Sequence, residues 1–275
     1  MNVRKRIFIY LLLLVAAGAA MILLQRQFLQ QDLQYLPRDY NQIMELGEMN
    51  VVTDYNSIGY FVSGDTALGF QLEMMRELEQ EWKVKVNIFL ENSLEKSLQG
   101  LQAERYDLVA RNIPVNSALR DSFSFTVPIT YNRLVLIQRK ALFDGGEEPI
   151  RQHLELAGKE IHVAANSPAI LRLDNLSHEI GDTILILEDP LYDTEQLVMM
   201  VASGDIDYTV CDKEIAFRLA ELFPEIDTDT DIGFTQLEAW AVRSNSPLLL
   251  DSLNSWLIGF RNSSRFDQIF RRYYP

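Results

Sequence analysis

Residues Gly204–Ala216 read GDIDYTVCDKEIA. Ile206, Asp207, Tyr208, Thr209 and Val210 make a short apolar strand, and a helical pattern starts directly at Asp212. A carboxylate in that position has two uses. It can cap the free backbone N–H groups that begin the helix. It can also face a ligand, because α/β sheets bind ligands beyond the carboxyl ends of their strands. Which use applies depends on where the other strands end.

Working outward, the same strand-then-helix order recurs. Ile161–Ala165 is a strand, and Asn166-Ser167-Pro168 starts a helix with proline in its first turn. Thr183–Leu187 is a further strand, and Asp193 to Gln196 caps a helix that Ser203-Gly204 ends. The helix after Asp212 stops before Pro224. Further upstream, Met49–Thr53 is a strand. Leu72, Met75, Leu78 and Trp82 form one buried helical face, and Val84, Val86, Ile88 and Leu90 alternate as a strand should. Asn92 with Glu95 fits a capping box ahead of Leu94, Leu98 and Leu101, and Asp107–Ala110 is another strand.

Two α/β series therefore stand in one chain. The strand near Leu136 leads into the second, and Thr235–Val242 leads back out. Two crossings imply a two-lobed α/β fold with a hinge and a cleft. The expected partition is residues 48–137 plus 238–275 for lobe 1 and 138–237 for lobe 2, with helices near 248–260 and 266–273 closing the chain.

The start of the chain is of another kind. Arg4, Lys5 and Arg6 precede an uncharged apolar run from Ile7 to Leu24. This pattern specifies export with the basic side left in the cytoplasm. The expectation is an uncleaved signal-anchor over residues 1–24, holding the chain at the periplasmic face of a bacterial inner membrane. The alternative is cleavage near Ala17-Gly18-Ala19 and secretion to the periplasm. The polar, glutamine-rich residues 25–47 are expected to form a stalk.

Composition excludes several functions. The 275 residues carry a net charge of −14, which opposes nucleic-acid binding. His153, His162 and His178 lack metal-ligand spacing, so neither a metal nor a cofactor is expected. Cys211, alone in the chain, lies among apolar residues at a strand end and reads as a buried, inert thiol.

The three expected strand ends, at Ala110, Ala165 and Val210, bring forward Arg111, Asn112, Asn166, Ser167 and Asp212. Backbone N–H groups after Ser167 would suit an anion. Asp212 would suit an ammonium group or sugar hydroxyls. Arg111 and Arg120 are candidate anion partners. Tyr60 and Phe61, gathered with Tyr55 in one loop, are either core or a pocket wall.

The segments TDYNSIGYF, ALGFQLEMMRELEQ, FSFTVPITYNRLVLIQR, VASGDIDYTVCDKEIA and EAWAVRSNSPLLLDSLNSWL occur in an order that resembles family 3 of the bacterial extracellular solute-binding proteins. The likeness is nearest to the binding module of membrane-bound lytic transglycosylases. It implies a type II periplasmic-binding fold that closes on a small ligand. By that resemblance, Asp212 is the ligand-facing acid, Asn166-Ser167 the loop for the ligand's acid group, and Tyr60 and Phe61 the aromatic wall. The sequence also departs from the family. The Arg of the usual Thr-x-Glu-Arg clamp falls on Leu119, with Arg120 one place late. Gln71 replaces an acid and Asn166 a glycine.

The expected function is non-enzymatic: binding of an amino acid, peptide or muropeptide for transport or sensing. An ABC transporter permease or a cell-wall enzyme would be the protein partner. The alternative is a degenerate module that docks on a cell-wall enzyme.

Overall fold

The computed structural model describes residues 38–274. The expected anchor and most of the expected stalk lie outside them. Among the described residues, no helix is long and apolar enough to cross a membrane.

Helix α1 (Tyr40–Leu46) belongs to lobe 1, so the expected stalk is too long at its C-terminal end. Ile43 is fully buried and Tyr40 meets Trp82 edge-on, at 5.2 Å between ring centroids. Strand β1 (Glu48–Thr53) follows, then a hairpin of β2 (Phe61–Ser63) and β3 (Thr66–Leu68). Helix α2 (Phe70–Trp82) buries Leu72, Met75, Leu78 and Trp82, the apolar face read from its spacing. Gly69, just before it, has φ 136°, and a Cβ there would lie 2.2 Å from the Gly59 carbonyl oxygen.

Next come β4 (Lys85–Leu90), α3 (Leu94–Gln102) and β5 (Leu108–Pro114). Ser93, not Asn92, caps α3 by accepting from Lys96 N–H, because Asn92 Oδ1 is taken by Tyr55 N–H at 2.9 Å. A short α4 (Ser117–Arg120), β6 (Phe123–Phe125) and β7 (Thr130–Asn132) complete this part.

Strand β8 (Leu134–Arg139) opens lobe 2. It is followed by β9 (Glu160–Ala164), α5 (Ala169–Ile180), β10 (Leu185–Asp189), α6 (Thr194–Ser203), β11 (Thr209–Asp212), α7 (Lys213–Leu222) and β12 (Ile226–Asp231). The chain then returns to lobe 1 as β13 (Gln236–Arg243), α8 (Pro247–Phe260) and α9 (Ser264–Tyr273).

The lobe 1 sheet runs β4-β1-β5-β13-β6, with β7 also on β13, and the lobe 2 sheet runs β10-β9-β11-β8-β12. β4, β1 and β5 are parallel, as are β10, β9 and β11, while β13 and β8 run against their neighbours. Each sheet is buried on both faces. β8 lies between β11 and β12, so the lobe boundary falls at Arg133 and not at residue 138. The return boundary lies between Asp231 and Gln236, because all of β13 pairs within lobe 1.

Arg133 ties the two crossings together. Its guanidinium meets Asp231 at 2.6 Å and Thr235 Oγ1 at 3.0 Å, and its carbonyl accepts from Lys213 N–H. The Arg133 and Asp231 side chains are each more than a third exposed, so the pair positions the hinge more than it stabilises it.

Candidate functional site

A cavity of about 150 Å³ lies between the lobes, and a smaller one of about 50 Å³ adjoins it, sharing Asp54, Arg111 and Asp212. Lobe 1 contributes Asp54, Tyr55, Arg111 and Asn112. Lobe 2 contributes Asn166, Ser167, Glu195 and Asp212, and the lobe 1 strands next to the crossings contribute Asn132 and Glu238.

Arg111 and Asn112 do not lie past a strand end, as the sequence suggests, but inside β5. Neighbouring strand residues normally point to opposite faces. Here the β5–β13 register breaks: from Ile113 opposite Ala239 to Val109 opposite Ala241, β5 advances further than β13. Such a bulge re-aims side chains, and both residues reach the cavity. Arg111 Nη2 meets Asp54 Oδ2 at 3.0 Å, and Nη1 donates to the Asn92 carbonyl at 2.9 Å. Asn112 accepts from Gln71 Nε2 at 3.0 Å and donates to Tyr274 Oη at 3.1 Å. Gln71 Oε1 in turn accepts from Trp240 Nε1, which accounts for an amide where the family has an acid.

Asp212 occupies the N-cap position of α7 but makes no side-chain capping bond. Its carboxylate faces the cavity. Burial, and then the charge of Asp54, raise its pKa to about 6, against the opposing pull of Asn132 and Arg111. Glu238, only 2% exposed, accepts from Thr130 Oγ1 at 2.9 Å and Asn132 Nδ2 at 3.2 Å. Burial and the neighbouring Asp212 push its carboxyl up to about 8. The sequence reading missed Asp54, Asn132, Glu195 and Glu238. Only Asp54, directly after the first strand, carried a positional signal.

The Asn166-Ser167 loop reaches the cavity in a form unsuited to an anion. Asn166 adopts φ 58°, the left-handed region that asparagine tolerates in place of glycine. Its N–H donates to Glu188 Oε2 at 3.1 Å, Ser167 N–H to the Ala164 carbonyl, and Ala169 N–H to Ser167 Oγ. Pro168 has no N–H to offer.

The remaining candidates lie elsewhere. Arg120 is exposed beside a surface groove with Phe123 and Phe125. Phe61 packs against Tyr273 and under the Arg218 guanidinium, and Tyr60 packs against Tyr55. Tyr55 is the aromatic side chain that reaches the cavity. Cys211 is buried, and burial raises its thiol pKa well above the ordinary value.

The lobes also touch directly. Ser57 N–H donates to Glu195 Oε1 at 2.7 Å, and Asn92 Nδ2 to Asp193 Oδ2 at 3.1 Å. Burial raises the Glu195 carboxyl, more than the Ser57 contacts lower it.

Two α/β lobes joined by two crossings around a polar cleft define the class of periplasmic-type binding folds. The particular family follows from the sequence match: the chain belongs to the bacterial extracellular solute-binding proteins, family 3, whose model covers residues 49–275. Among curated relatives, it is 26% identical to the membrane-bound lytic murein transglycosylase F of Desulfosudis oleivorans, over 85% of this chain and 50% of that protein. It is 29% identical to the transglycosylase of the same name from Aeromonas hydrophila, over 80% of this chain and 42% of that one. The chain thus spans about half the length of the curated relatives it matches. Among solved structures, an ancestral arginine-binding protein bound to arginine aligns with TM-score 0.73 at 18% identity, over 83% of this chain and 99% of that one. A binding component of an ABC transporter from Wolinella succinogenes, complexed with lysine, aligns with TM-score 0.71 at 18% identity, over 83% and 96% of the two chains.

Proposed function

We propose that this chain is a non-enzymatic solute-binding module that closes its lobes on a small polar ligand. The observation that carries this reading is a polar cavity at the hinge, with Asp54 and Arg111 from one lobe facing Asp212 from the other. Family membership and amino-acid-binding structural neighbours support it. The basic and apolar N-terminal sequence supports an anchored position on the periplasmic face of a bacterial inner membrane. The transglycosylase relatives support a cell-wall fragment as one ligand class, alongside amino acids and short peptides.

Thermal unfolding of the chain with amino acids, short peptides and muropeptides tests the reading. Ligand that binds only the folded form raises Tm, by about 2.7 kcal/mol of stability at a hundredfold excess over Kd. Silence across the whole panel would sink it.

A second reading, a module that docks a partner protein without a ligand, draws on the direct Ser57–Glu195 and Asn92–Asp193 contacts. Such contacts can hold the lobes together unaided. A closed, ligand-indifferent solution structure would favour this second reading.

A further inference from the structure

We infer that the cleft selects a cationic amine or guanidinium compound and requires no carboxylate on it. This rests on the binding function proposed above and names the ligand class of that same site.

The cleft has already used its carboxylate-binding donors. A zwitterionic ligand's carboxylate needs a guanidinium fork or a cradle of backbone N–H groups. Neither is available. Arg120 stands outside the cleft beside a surface groove. Arg111 already holds Asp54 on Nη2 and the Glu91 and Asn92 carbonyls on Nη1, so its guanidinium is committed to lobe 1, and Arg133, which also lines the cavity, is committed to Asp231 and Thr235. At the helix start, the N–H groups of Asn166, Ser167 and Ala169 already donate within the chain, and Pro168 has none.

Acceptors, in contrast, remain. Asp54 Oδ1 is shut off from water and accepts no hydrogen bond among the described residues. Asp212 makes no capping bond to its own helix, and the hydrogen bond it accepts is from Asn132, so it keeps lone pairs for a ligand. Asp54 and Asp212 come from opposite lobes, so closure brings like charges together. A cation seated between them relieves that repulsion and gives closure the differential affinity it needs. With Asp54 balanced by Arg111, one unit of positive charge suffices. The chemistry selected is an ammonium or guanidinium donor.

The test is calorimetric titration of the full chain in mild detergent with two matched pairs: L-arginine against agmatine, and L-lysine against cadaverine. L-Glutamate, a neutral dipeptide and a muropeptide serve as comparators. The expected result is that agmatine or cadaverine binds at least as tightly as its carboxylate-bearing parent, while glutamate does not bind. Affinity for the amine should tighten as pH rises through about 6, by up to about tenfold per pH unit below that value, and level off above about pH 7. Asp212→Asn should weaken it at least about tenfold with an unchanged circular dichroism spectrum, while Arg120→Ala leaves it as it was. Binding of the parents with loss of the decarboxylated partners would overturn the inference, by showing a carboxylate anchor at work. Binding of the muropeptide or dipeptide with all four cations silent would also overturn it, yet leave the binding function standing. Silence from every compound would remove both.

Discussion

At the scale of single residues, the buried carboxyls at the hinge govern the response to pH. Glu238 is raised to about 8 and Asp212 to about 6, chiefly by burial. Between the ordinary carboxylate range and these values, the folded form keeps protons that the unfolded chain has released. Stability contributed by these groups is therefore intact at low pH and is lost as pH rises toward 8, at up to about 1.4 kcal/mol per pH unit for each retained proton. Asp227 acts in the opposite direction: burial works to raise its pKa, but Arg151 more than reverses this. Its contribution is lost as pH falls through its depressed value. Glu238→Gln is expected to raise Tm at pH 8 and flatten its fall between pH 5 and 8, as measured by calorimetry across pH. An unchanged pH profile would show that Glu238 titrates normally. A second residue-scale expectation concerns Cys211, whose buried thiol should resist labelling by a thiol reagent until the protein unfolds.

At the scale of elements, two junctions bear on lobe 1. Asp39 caps α1 and also α8: its Oδ1 accepts from Tyr40 N–H at 2.8 Å and Leu249 N–H at 2.6 Å, and Oδ2 accepts from Leu248 N–H at 3.2 Å. Asp39→Ala should cost about 1–2 kcal/mol, read as a drop in urea midpoint without a change in slope. The second junction is the crossing of Gly69 over the Gly59 backbone. Gly69→Ala needs both an unfavourable φ and a shift of backbone, so a loss of more than about 2 kcal/mol is expected in the same measurement. The element scale also shows where periodicity stops being informative. The α2 face was legible because Leu72, Met75, Leu78 and Trp82 recur at helical spacing on a buried surface. The extension of β5 through Arg111 and Asn112 was not legible. A polar pair after an apolar run looks like a strand end, and only pairing with β13, far along the chain, keeps it in the sheet.

For the whole molecule, Glu195 makes a direct polar contact between the lobes. Its carboxylate accepts Ser57 N–H from the opposite lobe. Glu195→Ala should loosen closure, so small-angle scattering without added ligand should report a larger radius of gyration than for the parent chain. An identical profile would show that the lobes stay closed through other contacts, among them Asn92–Asp193 and the Arg218 guanidinium over Phe61.

By itself, the sequence determined the alternation of strands and helices, the two-lobed plan with its return crossing, and the placement of Asp212 at the head of α7. These follow from local periodicity and from residue chemistry at helix starts. Tertiary structure alone decided which strand belongs to which lobe, because β8 finds its partners in β11 and β12. It alone decided that Arg111 enters the cleft while Arg120 does not, because a bulge in β5 turns one inward and α4 holds the other on the surface. It alone placed Glu238 and Asn132 beside Asp212. Their positions depend on hydrogen bonds between residues some hundred places apart, which no local pattern encodes.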